Sequence, residues 1–291
     1  FILGLSALVV PLAISAQLVR LDVPVMIAVS GVAWLMAADG AIGRTEGVVL
    51  CVALVGYTAL LVYLGKRRPA AAPAGAGGKG GAGGAGAPAA AGPRRIGRSV
   101  LLVLAGLVLL VAGARWLVDG AVDLARLLGV SELLIGLTIV AAGTSMPELA
   151  TSVVAAIRGE RDIAVGNIVG SNIFNLMGVL GASAAVSPGG VGVAPEALRF
   201  DIPVMAAVAL VCLPIFFTGG RISRWEGALL LGYYAAYVAF LVLAAMRHAG
   251  LAVFSAAMLW LVIPLSLLGV VLSVVVWLRR RGGHGAASGD D

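Results

Sequence analysis

Charge is scarce in this sequence: Asp, Glu, Lys and Arg make up 12% of its 291 residues, against roughly a quarter in a soluble domain. Histidine is almost missing, with His248 at the end of an apolar run and His284 in the C-terminal tail. That scarcity excludes an intramembrane enzyme built on a histidine-activated nucleophile or a zinc centre, since neither can assemble at depth. The two cysteines, Cys51 and Cys212, stand far apart inside apolar runs without metal-ligand spacing, so they read as small core residues. The opening residues from Phe1 lack the basic region and cleavage site of a signal peptide, and read as the remainder of a membrane span.

What is abundant is apolar sequence. Hydrophobic residues are 61% of the chain and the mean hydropathy is +1.08, which predicts an all-α polytopic membrane protein. The net charge of +6 comes from basic residues in loops beside apolar spans. Membrane topology accounts for them, so the expected partner is the lipid bilayer and not nucleic acid. Spans need about 20 apolar residues. Residues 1–14 supply part of one, and 23–38, 47–64, 99–117, 133–157, 163–186, 202–217, 227–245 and 251–278 supply the rest. A short interfacial helix is expected over 118–130, which carries Asp119, Asp123 and Arg126.

Residues 66–98 change character. They are Ala, Gly and Pro with Lys66, Arg67, Arg68, Lys79, Arg94, Arg95 and Arg98 and no acid, a composition expected to form a flexible linker. With the linker in the cytoplasm, Arg20, Arg158, Arg161, Arg221, Arg224 and Arg279 to Arg281 fall on the same side. Only Arg44, Arg126, Arg199 and Arg247 fall outside, with Arg115 near a helix end. The bias predicts a cytoplasmic linker and C-terminal tail (residues 279–291).

The chain also repeats itself. Arg20, Asp22, Pro24 and Met26 match Arg199, Asp201, Pro203 and Met205. Gly40, Arg44, Glu46, Gly47 and Tyr57 match Gly220, Arg224, Glu226, Gly227 and Tyr237, at an almost constant offset. The matched Arg-x-Glu-Gly segments fall on opposite sides of the membrane, so the copies are inverted, as in secondary transporters. Inverted repeats of five spans are expected, the second complete over 99–246 and the first represented by its C-terminal part, 1–65. Residues 251–278 form an extra span. A partner for the 99–178 segment, with a second proline-interrupted helix and an acid, is expected upstream of Phe1.

The candidate chemistry lies between Gly136 and Gly181, two apolar helices carrying polar groups where a bilayer penalises them. In the first, Pro147 cannot donate to the carbonyl of Gly143, and a freed carbonyl in hydrocarbon needs another partner. Thr144 and Glu148 share a helical face, with Ser145 one step round. One carboxylate, two hydroxyls and a loosened carbonyl make an all-oxygen set suited to hard cations such as Ca²⁺ or Na⁺. In the second helix, Asn167, Ser171 and Asn175 form one polar stripe beside Asn172. Ser171 and Asn175 would add neutral ligands opposite Glu148. Gly166 and Gly170 would let a neighbouring backbone approach. Thr151 and Ser152 read as hydroxyls bonded to their own backbone. Asp22, Asp201, Glu46 and Glu226 read as anchors at helix N-termini.

The segments GTSMPELATS and GNIVGSNIFNLMGVLG resemble the repeat signatures of the calcium/cation antiporter superfamily, in particular prokaryotic sodium/calcium exchanger-like membrane proteins. The resemblance implies a transporter and not an enzyme, in a bacterial inner membrane. It implies ten core helices in two inverted halves, no cofactor, and Ca²⁺ with Na⁺ or H⁺ as transported substrates. By position, Glu148 is the implied principal cation ligand, with Thr144, Ser145, Ser171 and Asn175 as further ligands. Some exchangers have an acid where this chain has Asn175, so the implied site carries less negative charge.

Overall fold

The computed structural model describes residues 1–67, 93–130, 135–217, 220–269, 271, 272 and 275. Within them, nine helices, one further short helical stretch (136–143) and four two-residue strands follow one another. The chain opens with α1 (Ile2–Val9), β1 (Leu12–Ala13), α2 (Leu18–Asp39), β2 (Ala41–Ile42) and α3 (Arg44–Arg67). Then come α4 (Pro93–Leu127), α5 (Met146–Ile157), α6 (Arg161–Val186), β3 (Val191–Gly192) and α7 (Ala197–Phe217). The described chain closes with β4 (Arg221–Ile222), α8 (Arg224–Ala245) and α9 (Leu251–Gly269). Seven of the helices, α2, α3, α4, α6, α7, α8 and α9, are long and apolar enough to cross a membrane.

The repeat in the sequence is a repeat in space. β1 pairs antiparallel with β4 and β2 with β3, so each copy lends one strand to each sheet. α2 runs from the first sheet to the second, whereas α7 runs from the second to the first. The two copies are therefore inverted, and the sheets cap opposite ends of the bundle. Each sheet is extended by one matched bond, Ile14 N–H to Gly220 O at 2.9 Å and Val193 N–H to Gly40 O at 2.8 Å. Gly40 and Gly220 reverse the chain with φ of +93° and +63°, a region glycine enters without steric cost.

Helix starts are matched too. Glu46 Oε2 accepts from Gly43 N–H at 2.7 Å, and Glu226 Oε2 accepts from Ser223 N–H at 2.7 Å within a full capping box. Both acids occupy the first helical turn, as their spacing predicts.

The two copies meet where backbones touch. A Cβ on Gly4 would stand 2.9 Å from Gly227 O, and one on Gly227 would stand 2.9 Å from Gly4 O. The inverted counterpart is Gly47, whose Cβ would meet Ala185 N at 2.5 Å and Gly181 O at 2.6 Å. Thus α1 crosses α8, and the end of α6 crosses α3, at glycine contacts that any side chain would obstruct. Small residues let the apolar core form behind them, around Leu12, Val23, Val165, Ile173, Phe216 and Ile222.

Several predicted boundaries are corrected. Residues 118–130 are not a separate interfacial helix, because α4 continues without a break to Leu127. No proline interrupts it, and Asp123 pairs with Arg126 one turn on at 3.7 Å. Helix covers both edges of the predicted linker, Lys66 and Arg67 in α3 and residues 93–98 in α4, where Pro93 suits a first helical turn. Residues 68–92 lie outside the described residues, as does most of the predicted span beyond Gly269.

Candidate functional site

The predicted single span over 133–157 is two pieces. A short helical stretch ends at Ala141–Gly143, Thr144 and Ser145 form a turn, and α5 restarts at Met146. Ser145 leaves the helical region at φ −94° and ψ 3°, which places Pro147 in the first turn of a new helix and not in the interior of an old one. That position suits proline, whose missing N–H would be unpaired there in any case. Gly143 is buried against Val118 of α4, so closely that a Cβ would collide with the valine side chain. Glycine is thereby required at the last residue before the break.

Glu148 falls in the first turn of α5, where the free amides of a helix N-terminus favour negative charge. Its side chain is half-buried, and Oε2 is fully buried with no hydrogen-bond partner among the described residues. A buried carboxylate oxygen without a donor costs several kcal/mol by order of magnitude unless something else satisfies it. Among the described residues no three His, Cys, Asp or Glu side chains gather into a metal-binding group. The described residues therefore offer a cation here one carboxylate, that of Glu148, with neutral oxygens around it.

The second helix is fastened to the first by an amide. Asn167 of α6 donates through Nδ2 to the Glu148 carbonyl at 3.2 Å and to Ser152 Oγ at 2.9 Å. Ser152 is fully buried, and so it is not the locally bonded hydroxyl expected of it; it is the partner of Asn167. Thr151 does bond its own helix, donating to Pro147 O at 2.8 Å. Ser171 is half-buried and donates to Ile168 O at 3.0 Å, while Asn172 is exposed and donates to the same carbonyl at 3.0 Å.

Asn175 and Thr144 are both exposed residues, and Ser145 is half-buried. Asn175 opens a π-helical turn, Asn175–Leu180. Such turns shift the backbone ladder by a residue and recur at functional sites. The close backbone approach expected at Gly166 and Gly170 does not occur among the described residues: a Cβ on either would meet nothing within 4 Å. Asn172 and Asn175 are exposed on the other side of α6 from these glycines. The cavity between α1, α4 and α5, of about 500 Å³, is lined by Leu5, Val9, Leu109, Leu117, Pro147 and Val153 and offers no polar side chain to an ion.

Two polar contacts outside this site were missed in the sequence. Tyr57 OH donates to Asp22 Oδ1 at 2.7 Å, and Tyr237 OH donates to Asp201 Oδ1 at 2.8 Å. Asp22 and Asp201 close matched π-helical turns, Leu18–Asp22 and Ala197–Asp201. They tie helix to helix and do not act merely as charges at a helix end. The signal was present, because both members of each pair repeat between the copies.

Known proteins resemble this chain in sequence and in fold. The profile of the family described as sodium/calcium exchanger protein matches residues 98–243. CaxA of Alkalimonas amylolytica is 37% identical over 239 residues, covering 81% of this chain and 72% of that protein. The inner membrane protein YrbG of Escherichia coli is 36% identical over 243 residues, covering 82% and 72%. The solved structure of the sodium-calcium exchanger NCX_Mj superposes with a TM-score of 0.63 and 28% identity over 82% of this chain and 70% of that one.

Proposed function

The chain belongs to the sodium/calcium exchanger protein family, and from that membership we propose that it is a secondary cation antiporter exchanging Ca²⁺ for Na⁺ at a site centred on Glu148. The observation that carries the proposal is the buried, unpartnered Oε2 of Glu148 at the break between two half-helices. Thr144, Ser145, the Gly143 carbonyl, Ser171 and Asn175 would supply neutral oxygens around it. Asn167 would hold the two helices in register through the bonds it makes behind Glu148. Ca²⁺ accepts six to eight oxygens, so this half of the site calls for a matching half from an inverted counterpart.

Exchange follows from competition for one carboxylate. With a cation bound, the buried charge is neutralised and the inward–outward switch is permitted. With the site empty, the switch would carry an unpaired charge through low dielectric, and uncoupled movement is suppressed. The two repeats would form the inverted halves, residues 66–98 the link between them, and the residue 251–278 span an addition. The linker and tail would face the cytoplasm, in a bacterial inner membrane.

The test is Na⁺-driven Ca²⁺ flux in vesicles holding the intact protein or its Glu148→Gln variant. The variant is expected to lose flux, and undiminished flux would remove Glu148 from the site. Flux driven by a proton gradient in the absence of Na⁺ would reassign the counter-ion to H⁺.

A further inference from the structure

Asp22 stands near the end of a membrane span with no role in the site just described. Among the described residues it has no ion pair; its partner is a tyrosine hydroxyl. An acid is costly at such a depth unless it is hydrogen-bonded, and a π-helical turn, Leu18–Asp22, delivers it to Tyr57 at 2.7 Å. The same device recurs in the inverted copy, with its own π-helical turn and a 2.8 Å bond to Tyr237. The bond is thus kept in both copies of the repeat, each at its own helix pair.

What the bond fastens is the wall behind the candidate site. One turn before Tyr57, Leu54 reaches to within 3.0 Å of where a Cβ on Gly178 would stand, inside the π-helical turn that Asn175 opens. One further turn back, α3 meets the next stretch of α6, with Leu50 Cβ 3.0 Å and Cys51 Sγ 3.2 Å from a Cβ built on Gly181. One turn after Asp22, Met26 of α2 lies in the same buried cluster as Ile168, Ile173 and Met177 of α6. The Asp22–Tyr57 bond joins these two walls into one clamp.

We propose that Asp22 is a positioning residue for cation binding, acting through Tyr57 to hold α3 against the turn that presents Asn175. The assignment rests on the Glu148 site of the preceding section. It predicts that loss of the bond weakens cation binding without removing the ion's charge partner. The experiment measures initial Ca²⁺ uptake by the intact protein in vesicles against Ca²⁺ concentration, together with thermal unfolding of each variant in detergent.

Tyr57→Phe is expected to raise the half-saturating Ca²⁺ concentration about fivefold, the worth of one such bond, with the maximal rate changed less than about twofold. Asp22→Asn keeps an acceptor for the tyrosine and is expected to behave as the unmodified protein, whereas Asp22→Ala should match Tyr57→Phe. The double variant Asp22→Ala/Tyr57→Phe should be no worse than either alone.

Asp22→Asn as damaging as Asp22→Ala would overturn the proposal, because the charge itself would then matter. A lower melting temperature for Tyr57→Phe with unchanged half-saturation would also overturn it, leaving a structural brace. Glu148→Gln is the control. Undiminished flux in that variant defeats the site itself, whereas an inactive Glu148→Gln beside an unaltered Tyr57→Phe defeats only the role given to Asp22.

Discussion

In the site proposed above, Glu148 would carry the charge and Asn175 would not. Glu148 draws on the first-turn amides of its own helix, so the carboxylate has a favourable field even without a cationic side chain nearby. Asn175 contributes a dipole and no charge. Asn175→Asp would place a second carboxylate at the mouth of the π-helical turn, and we expect it to lower the half-saturating Ca²⁺ concentration by about tenfold in vesicle uptake. Asn167 carries a different burden, since Ser152 Oγ and the Glu148 carbonyl both depend on it. Asn167→Ala should destabilise the protein by about 1–2 kcal/mol, read as a lower unfolding temperature in detergent. At this scale the sequence was only partly legible. Glu148, Ser171 and Asn175 stand out because polar groups in apolar runs are rare. The bond from Asn167 to Ser152 was hidden, because one side chain's partner on another helix depends on how the two helices cross, which spacing alone does not report.

Elements were easier to read where a breaker coincided with a change of composition. Pro147 announced an interruption, and the interruption is there, but its form differs from a kink: the helix stops, turns at Thr144 and Ser145, and starts again. Proline's preference for a first turn explains why the break lies before it. Asp119 and Asp123 misled the reading of α4, because two acids on an exposed helix face do not end a helix. The glycines illustrate the limit of motif reasoning. Gly166 and Gly170 have the small-residue spacing yet face open space, whereas Gly47 and Gly181, with no such spacing between them, touch across the two copies. Gly47→Ala should therefore cost about 1–3 kcal/mol or prevent assembly, because only backbone could move to make room. Gly166→Ala should be neutral or stabilise α6 by up to about 1 kcal/mol. Thermal unfolding of the two variants side by side checks the contrast.

For the whole molecule, inversion of the two copies sorts the arginines between the ends of the bundle. Arg158, Arg161, Arg221 and Arg224 lie at the end capped by β1 and β4, and Arg44 and Arg199 at the other, as helix alternation requires. Single cysteines introduced at Arg221 and at Arg199, on a background with Cys51 and Cys212 replaced, should label with an impermeant reagent from opposite faces, Arg221→Cys from the cytoplasmic one. Labelling of both from one face would reverse the topology. The repeat makes this architecture legible in the sequence, because matched residues at a nearly constant offset carry fold-level information that hydropathy lacks.

The exchanged strands also set a schedule for biosynthesis. β1 is complete by Ala13, yet its strand partner begins at Arg221. At about 5–20 residues per second, the ribosome needs roughly ten to forty seconds to deliver that partner. The glycine contact of α1 waits for the same stretch, because its partner Gly227 lies in α8 (Arg224–Ala245). The first sheet can therefore close only after the chain has been made through β4, long after its first strand.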